Sequence, residues 1–498
     1  MQTTPAVTAR PKKRGLFVTR WLRGLTAPAQ PRARRGMRQH RGFASAQVLE
    51  ARSLLSATFD GAVGFGNAEG LSIGEDVATD SAGNSYVTGY FGGTVDFDPG
   101  ATHAGDADIL TARGSQDIYV AKYASDNSLI WARRMGGDQS TNTGYGGRSI
   151  SIDSAGNVYV GGVFAESADF GSATLTSQGG HDAFLVKLDS SGDVAWAKSW
   201  GTTGADAVSG VDVDGSGNVY TLSYRSDTKA YEVRKLRSSG SALWTKSVTT
   251  RSNLGSDLEV SSTGNVYVTG SFTGTTDFDP SSKVKSVTSS YSSSFVMKLD
   301  TNGKFGWVSP FLSSAGSSST VNSLEIDPSG SLVVGGSYNG TVDFNPGSGT
   351  TTLSSAGGGF VAKLNSSGSL AWARGFVELE PGSTYVRSVS VDNSGNVYAT
   401  GSFTGTTDFD PGSGNYSLIP GASSSAFVVK LNSSGNFNWG ESFDGAAGRG
   451  IDVDSSGVVH VVGSYRGTVD FDPDPIGVFE LTTAGTRNYG FRLRLRQS

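Results

Sequence analysis

Short apolar runs and glycine-bearing polar turns alternate along this chain on a long period. One landmark reads Asp80-Ser-Ala-Gly83-Asn-Ser-Tyr86-Val-Thr-Gly89, a polar turn followed by a β-prone run. It recurs at 153–161, 214–223, 261–270, 327–335, 392–401 and 454–463. The turn glycines, from Gly83 to Gly457, are spaced by about 62 residues on average. Seven copies of one unit follow, and an internal repeat on this scale points to a repeat architecture.

Each unit predicts four strands. The first is short and precedes the turn, as at 149–153. The second follows it, as in Val158-Tyr159-Val160, with weak alternation because both faces are covered. The third is Phe184-Leu-Val-Lys187-Leu188 and its counterparts at 119–122, 231–235, 295–298, 360–363, 427–430 and 491–494. A second turn of Asx and Gly follows, as in Asp189-Ser-Ser-Gly192, because Gly takes positive φ without a steric penalty. The fourth strand carries Trp131, Trp196, Trp244, Trp307, Trp372 or Trp439. Four residues later comes a large apolar residue: Met135, Trp200, Val248, Phe311, Phe376 or Phe443.

Four-stranded units in seven copies predict an all-β, seven-bladed β-propeller with antiparallel blades. A solenoid would need atypical caps at both ends. A ring instead needs its last unit tied to its first. The seventh unit ends without a Trp strand, and 55–62, upstream of the first unit, matches 439–446. Leu55 is expected in the Trp place and Phe59 in the Phe place, so that the N-terminal strand completes the last blade and leaves no open edge.

Composition fits this picture. Gly is 70 of 498, Pro only 14, and charged residues are 17%, which excludes collagen, Pro-rich linkers and coiled coils. Cys is 0, excluding disulfides, thiolate metal sites and Cys nucleophiles. No apolar stretch is long enough for a membrane helix. Residues 1–52 carry +11 and the rest −16, for a net of −5. The acidic bulk argues against nucleic acid as a partner. Residues 1–52 therefore read as a basic targeting or leader segment. Residues 53–498 read as the propeller, with blades near 72–136, 148–201, 208–250, 256–312, 321–377, 386–444 and 449–498, the last completed by 54–62.

Two resemblances add to this. The Asp-x-x-Gly-Asn-Val-Tyr-Val-x-Gly stretch, the Phe-Val-x-Lys-Leu strand and the Gly-x-x-x-Trp-Ala strand resemble the SBBP family, the bacterial β-propeller repeat, over about residues 55–498. Val48-Leu-Glu50-Ala51-Arg52-Ser-Leu54-Leu55-Ser-Ala57 resembles the LEPR-XLL segment of secreted or surface proteins of planctomycete bacteria, with Ala51 where that motif has Pro. The first implies the fold and little chemistry, since propellers host many activities. The second implies export to the cell surface.

A second repeated motif offers candidate ligands. It pairs Asp96 with Asp98, Asp277 with Asp279, Asp343 with Asn345, Asp408 with Asp410 and Asp470 with Asp472, each pair flanking a Phe; a remnant stands at Asp169-Phe170-Gly171. In an extended segment both carboxylates face one side. Such a hard oxygen pair suits Ca²⁺, which takes about 6–8 oxygens. The competing reading makes the Phe a plug between blades and the Asp a turn-former.

Other candidates have plainer readings. The third-strand Lys residues could form a ring of positive charge, but the plainer reading puts each on a solvated sheet face or beside an acidic turn residue. The strand Trp residues pack blades. Tyr145, Tyr291, Tyr385 and Tyr416 lie in linkers and are candidates for stacking on sugars. Of the four His, His40 is in the basic leader, His460 stands where other units have Tyr, and His103 and His181 lie in loops. No nucleophile elbow, zincin helix or phosphate loop is present. The expectation is a monomeric, exported, non-catalytic binding or scaffold propeller. It needs no obligatory cofactor, and its partner is a polysaccharide or a surface protein. The alternative is a secreted hydrolase or lyase acting on polysaccharide. An enzyme predicts a funnel of clustered His, Tyr and carboxylates with shifted pKa; a scaffold predicts none.

Overall fold

The computed structural model describes residues 56–66, 70–99, 108–138, 145–250, 257–421 and 424–497. These all belong to one compact unit, Leu54–Ser498. The leader expected over 1–52, with His40, lies outside the described residues, as do His103, Leu55 and most of the LEPR-XLL-like segment.

All regular structure among the described residues is β, and the sheets are antiparallel meanders. In the first repeat Leu71–Thr79, Ser85–Gly92, Asp117–Tyr123 and Leu129–Met135 lie side by side in that order. The second has Gly146–Ile152, Val158–Asp169, Thr174–Leu188 and Val194–Trp200. Four-stranded sheets also run from Ala207 to Thr249 and from Ser383 to Asp444. The meanders from Leu258 to Ser313 and from Ser318 to Glu378 are joined into one larger sheet by the pairs Leu312↔Asp343 and Ser313↔Val342. The last sheet holds Ala446–Val453, Val459–Tyr465 and Tyr489–Gln497, with Ala57–Phe65 on its outer edge.

Turn chemistry explains why the repeats fold alike. Asp80 Oδ1 accepts the N–H groups of Ala82 and Asn84, and its Oδ2 accepts from Asn84 Nδ2 and the Tyr86 hydroxyl. Gly83 follows with φ 78°, a backbone region that favours glycine. Asp153, Asp214 and Asp392 repeat this arrangement with Tyr159, Tyr220 and Tyr398. Burial alone would raise these carboxylates, but the hydrogen bonds outweigh it and hold them below the usual range. His460 takes the Tyr place as read from the sequence: its Nε2 lies 3.1 Å from Asp454 Oδ2.

The fourth-strand Trp residues join neighbouring sheets. Trp196 Nε1 donates to the Ser238 carbonyl, Trp244 to Thr301, Trp307 to Ser366 and Trp372 to Ser433, each acceptor in the next repeat's second turn. Those turns carry Gly192, Gly240, Gly303, Gly368 and Gly435 against the preceding Trp ring; a Cβ on Gly368 would sit 2.7 Å from Trp307. The third-strand Lys groups lie over the same aromatic layer. Lys430 stands 5.1 Å from the Tyr398 ring and 3.9 Å from Asp392, and Lys363 pairs with Asp327 at 2.6 Å.

The N-terminal strand adds to the last sheet, in a different register from the one expected. Gly61 lies opposite Arg494 as Trp439 lies opposite Lys430, and Phe65 lies opposite Gly490 as Phe443 lies opposite Ala426. The strand is Ala57–Phe65, not 54–62. The assignment of Phe59 to the Phe443 place is therefore corrected: Phe59 instead meets Phe479 at 4.8 Å. Two forces set the register. Asp60 pairs with the nearly buried Arg494 at 2.8 Å, and Phe65 is fully buried against Phe97, Tyr119 and Tyr123.

The first strands of successive repeats are stitched side chain to backbone. Asp76 Oδ2 accepts the Ile150 N–H (2.9 Å), Ser149 Oγ the Val211 N–H (3.0 Å), and Asp212 Oδ2 the Val260 N–H (2.8 Å). Asp257 Oδ2 accepts from Leu324 (2.9 Å), Ser323 Oγ from Val389 (3.1 Å) and Ser388 Oγ from Ile451 (3.3 Å). Asp452 Oδ2 then accepts the Thr79 N–H at 2.7 Å, which joins the seventh repeat to the first.

Candidate functional site

The Asp-Phe-Asp motifs fall at hairpins between second and third strands. Every flanked Phe is fully buried: Phe97, Phe278, Phe344, Phe409 and Phe471. Phe409 lies 4.8 Å from Phe427 of its own sheet and 5.0 Å from Phe376 of the preceding one. The plug between sheets is therefore what the structure displays. Phe409→Ala is expected to cost about 3–5 kcal/mol, read from urea unfolding. No change in midpoint would remove the Phe from the structural framework.

The carboxylates of these motifs hold backbone. Asp277 Oδ1 accepts from the Asp279 and Lys285 N–H groups, Asp343 from Asn345 and Thr351, Asp408 from Asp410 and Tyr416, and Asp470 from Asp472 and Phe479. Asp96 accepts from Asp98. Asp279, Asn345, Asp410 and Asp472 each accept one more amide two residues on. Among the described residues no three His, Asp or Glu side chains form a group that could hold a metal. A pair with its oxygens engaged by amides supplies far fewer than the roughly 6–8 ligands of calcium, so the donor set fits a hairpin clasp better than a calcium cage.

The tyrosine candidates divide. Tyr291 and Tyr385 are exposed. Tyr145 is buried and donates its hydroxyl to the Ala165 carbonyl. Tyr416 is half-buried against Phe437 and donates to Gly440 O at 2.7 Å. Neither of these two offers an exposed stacking face, because each has a hydroxyl partner within its own framework. His181 lies on Thr174–Leu188, an inner strand of its sheet, opposite Ala165.

Sequence reading missed a set of carboxylates on the first strands. Two and four residues before the first-turn Asp or Ser stand Asp76, Asp212, Asp257, Glu259, Glu325 and Asp452, all half-buried. Burial, then the charges of Asp257 and Asp452, push Asp76 up to about 7. Burial and Asp212 bring Asp257 to about 7, and burial brings Asp212 itself to about 6. Glu259 and Glu325 lie well above the usual range, from burial followed by repulsion from Asp212, Asp257 and each other's neighbourhood. Carboxylates of the first, third, fourth, fifth and seventh repeats therefore raise one another. The signal was present as a carboxylate two or four residues before the turn in five of the seven repeats.

Chemically, this cluster stores protons near neutrality. It contains carboxylates of shifted pKa, as an enzyme would require, but neither His nor Tyr among the groups that shift them. Asp76, Asp212, Asp257 and Asp452 also hold the neighbouring repeat's amide. Toward the opposite end of the first strands lies a cavity of about 550 Å³, bordered by Glu75, Tyr90, Gln116, Arg148 and Arg449. That volume is in the range of small-ligand sites. Arg449 makes two contacts with Glu75, at 2.8 and 2.9 Å.

No family model matches the chain. Over 182 residues it is 25% identical to an uncharacterized WD repeat-containing protein of Acanthamoeba polyphaga mimivirus, a stretch covering 31% of this chain and 12% of that protein. The chain thus spans about an eighth of the length of this curated relative. Among solved structures, the Dos1 propeller is similar at 10% identity and a TM-score of 0.34, covering 71% of this chain and 93% of that one. A protein of unknown function from Dyadobacter fermentans is similar at 10% identity and 0.39, over 90% and 100%. Lignostilbene dioxygenase from Pseudomonas brassicacearum is similar at 11% and 0.37, over 89% and 95%. No activity of this chain follows from likenesses at these levels.

Proposed function

We propose that the repeats are the seven blades of a closed β-propeller and that this propeller is a non-catalytic binding module. The circuit of inner-strand hydrogen bonds, ending with Asp452 on Thr79, is the observation that supports closure. The mouth of the axial channel is its binding face, and the cavity beside Glu75, Arg148 and Arg449 supports that choice. The ligand is a polysaccharide or a surface protein, and the module works outside the cell. Export rests on the LEPR-XLL-like segment and its basic leader. Calcium is no part of this reading, since the motif oxygens are engaged by amides; a melting temperature that shifts by more than a few degrees between calcium and EDTA would restore it.

A glycan array probed with the full chain tests the binding reading. Bound glycans are then incubated with the protein and assayed for new reducing ends and unsaturated products. Binding without product is expected. Ser209→Trp, which narrows the mouth on its uncharged side, is expected to abolish binding of any ligand that enters there. Binding untouched by Ser209→Trp would move the site elsewhere. A second reading, a hydrolase or lyase, is favoured only by the axial carboxylates, and released product would establish it.

A further inference from the structure

A recurrent irregularity marks the innermost strand. The pairing of first with second strand slips by one residue between Gly74 and Asp76, Gly147 and Ser149, Val208 and Gly210, Val321 and Ser323, Val386 and Ser388, and Gly448 and Gly450. The extra residues are Glu75, Arg148, Ser209, Asn322, Arg387 and Arg449. A bulge removes its extra residue from the ladder and re-aims its side chain, and bulges cluster beside functional sites. All six stand five residues before the turn, on the side of the axial carboxylates away from it. A purely architectural bulge would accept any residue. Here four of the six are charged, and all four fall in the sixth, seventh, first and second repeats.

These four residues form a cationic arc. Glu75 neutralises Arg449. Arg148 and Arg387 are exposed, and neither makes an ion pair among the described residues. Arg387 lies over the exposed Tyr385 ring at 5.7 Å. Both guanidinium groups stay charged at neutral pH and are open to an incoming anion.

Resting on the reading of the mouth as the binding face, we propose that the bulge ring is a recognition site for an acidic saccharide, one carrying a carboxylate or a sulfate. Arg148 and Arg387 take the oxyanion, because guanidinium matches planar oxyanions with paired donors. Gln116 and Tyr90 border the cavity as polar partners for hydroxyl groups, and the exposed Tyr385 gives a ring beside Arg387. Peptides are disfavoured by the wall, which is mostly polar and has Val163 as its one aliphatic side chain. Protein partners need apolar or aromatic anchors in pockets.

Titration calorimetry on the full chain tests this with four probes: oligogalacturonate, a sulfated oligosaccharide, a neutral oligoglucan and hexaglutamate. One or both acidic saccharides are expected to bind, tightest at low salt. The double variant Arg148→Ala/Arg387→Ala is expected to weaken them roughly tenfold or more. Glu75→Gln, which frees Arg449, is expected to tighten them several-fold, a gain that misfolding cannot imitate. Hexaglutamate binding as tightly as the saccharides would overturn the ligand class. Neutral oligoglucan binding that Ser209→Trp abolishes and the arginine variant leaves intact would sink the anion site while sparing the mouth. No binding by any probe, with the array also blank, would overturn both.

Discussion

Phe65→Ala lowers stability by about 3–5 kcal/mol, while Phe59→Ala, six residues earlier, costs about 1 kcal/mol or less. Urea unfolding of the two variants side by side reads the difference. Phe65 is fully buried among Phe97, Tyr119 and Tyr123 of the first repeat, although its strand pairs with the last. Truncating it opens a void in the layer that unites chain start and chain end. Phe59 is half-buried and contacts Phe479. Equal effects, or the reverse order, would return the strand to the other register. Deleting 57–65 is expected to go further. It bares the edge of Tyr489–Gln497 and strips Arg494 of Asp60, leaving an almost buried cation unpaired.

The same seam carries a second adjustment. At five junctions a fourth-strand Trp, from Trp131 to Trp372, covers a turn glycine of the next repeat. At this junction Gly61 stands in the Trp place, and the next repeat's turn has Asn127, a non-glycine residue at φ 77°. A Cβ on Gly61 would lie 2.1 Å from Asn127 Nδ2. Large and small have changed sides, and the Asn amide fills the room of the missing indole. Its Oδ1 accepts from the buried Arg492 at 2.5 Å. Burial, then the neighbouring Arg494, depresses Arg492 to about 9. A polar contact of this kind fits the Gly61 register and no other.

Much of the framework was legible because it repeats. The turn Asp, its Gly and the Tyr that returns to it recur as a local motif, so their pattern survives in one dimension. His460 could be placed in the Tyr position for that reason. The closing register was not legible. Phe59 and Phe65 are both aromatic, and Asp60's attraction to Arg494 acts across most of the chain length. Tyr145 looked like linker because its acceptor, the Ala165 carbonyl, carries no side-chain signal. The axial carboxylates and the bulge residues are unremarkable in each repeat and acquire meaning only when the inner strands surround one axis.

That axis gives the second large effect: thermal stability rises as the pH falls from 8 to 5. Asp76 and Asp257 titrate near 7 and Asp212 near 6 in the folded chain, with Glu259 and Glu325 well raised, whereas unfolded carboxylates titrate near 4. The folded state then binds more protons than the unfolded one between about pH 4 and 7, so stability falls as pH rises through that window. His460, depressed by burial, pulls the other way below about 6.5, but it is one group against five. The turn carboxylates, held low, lose their contribution only below about pH 4. Solvent screens these half-buried groups, so the expected gain in melting temperature from pH 8 to 5 is about 5 °C rather than the full electrostatic sum. Glu259→Gln/Glu325→Gln is expected to raise the melting temperature at pH 8 and flatten the slope. A melting temperature that is level, or that drops on acidification from 8 to 5, would mean that these carboxylates do not share the axis.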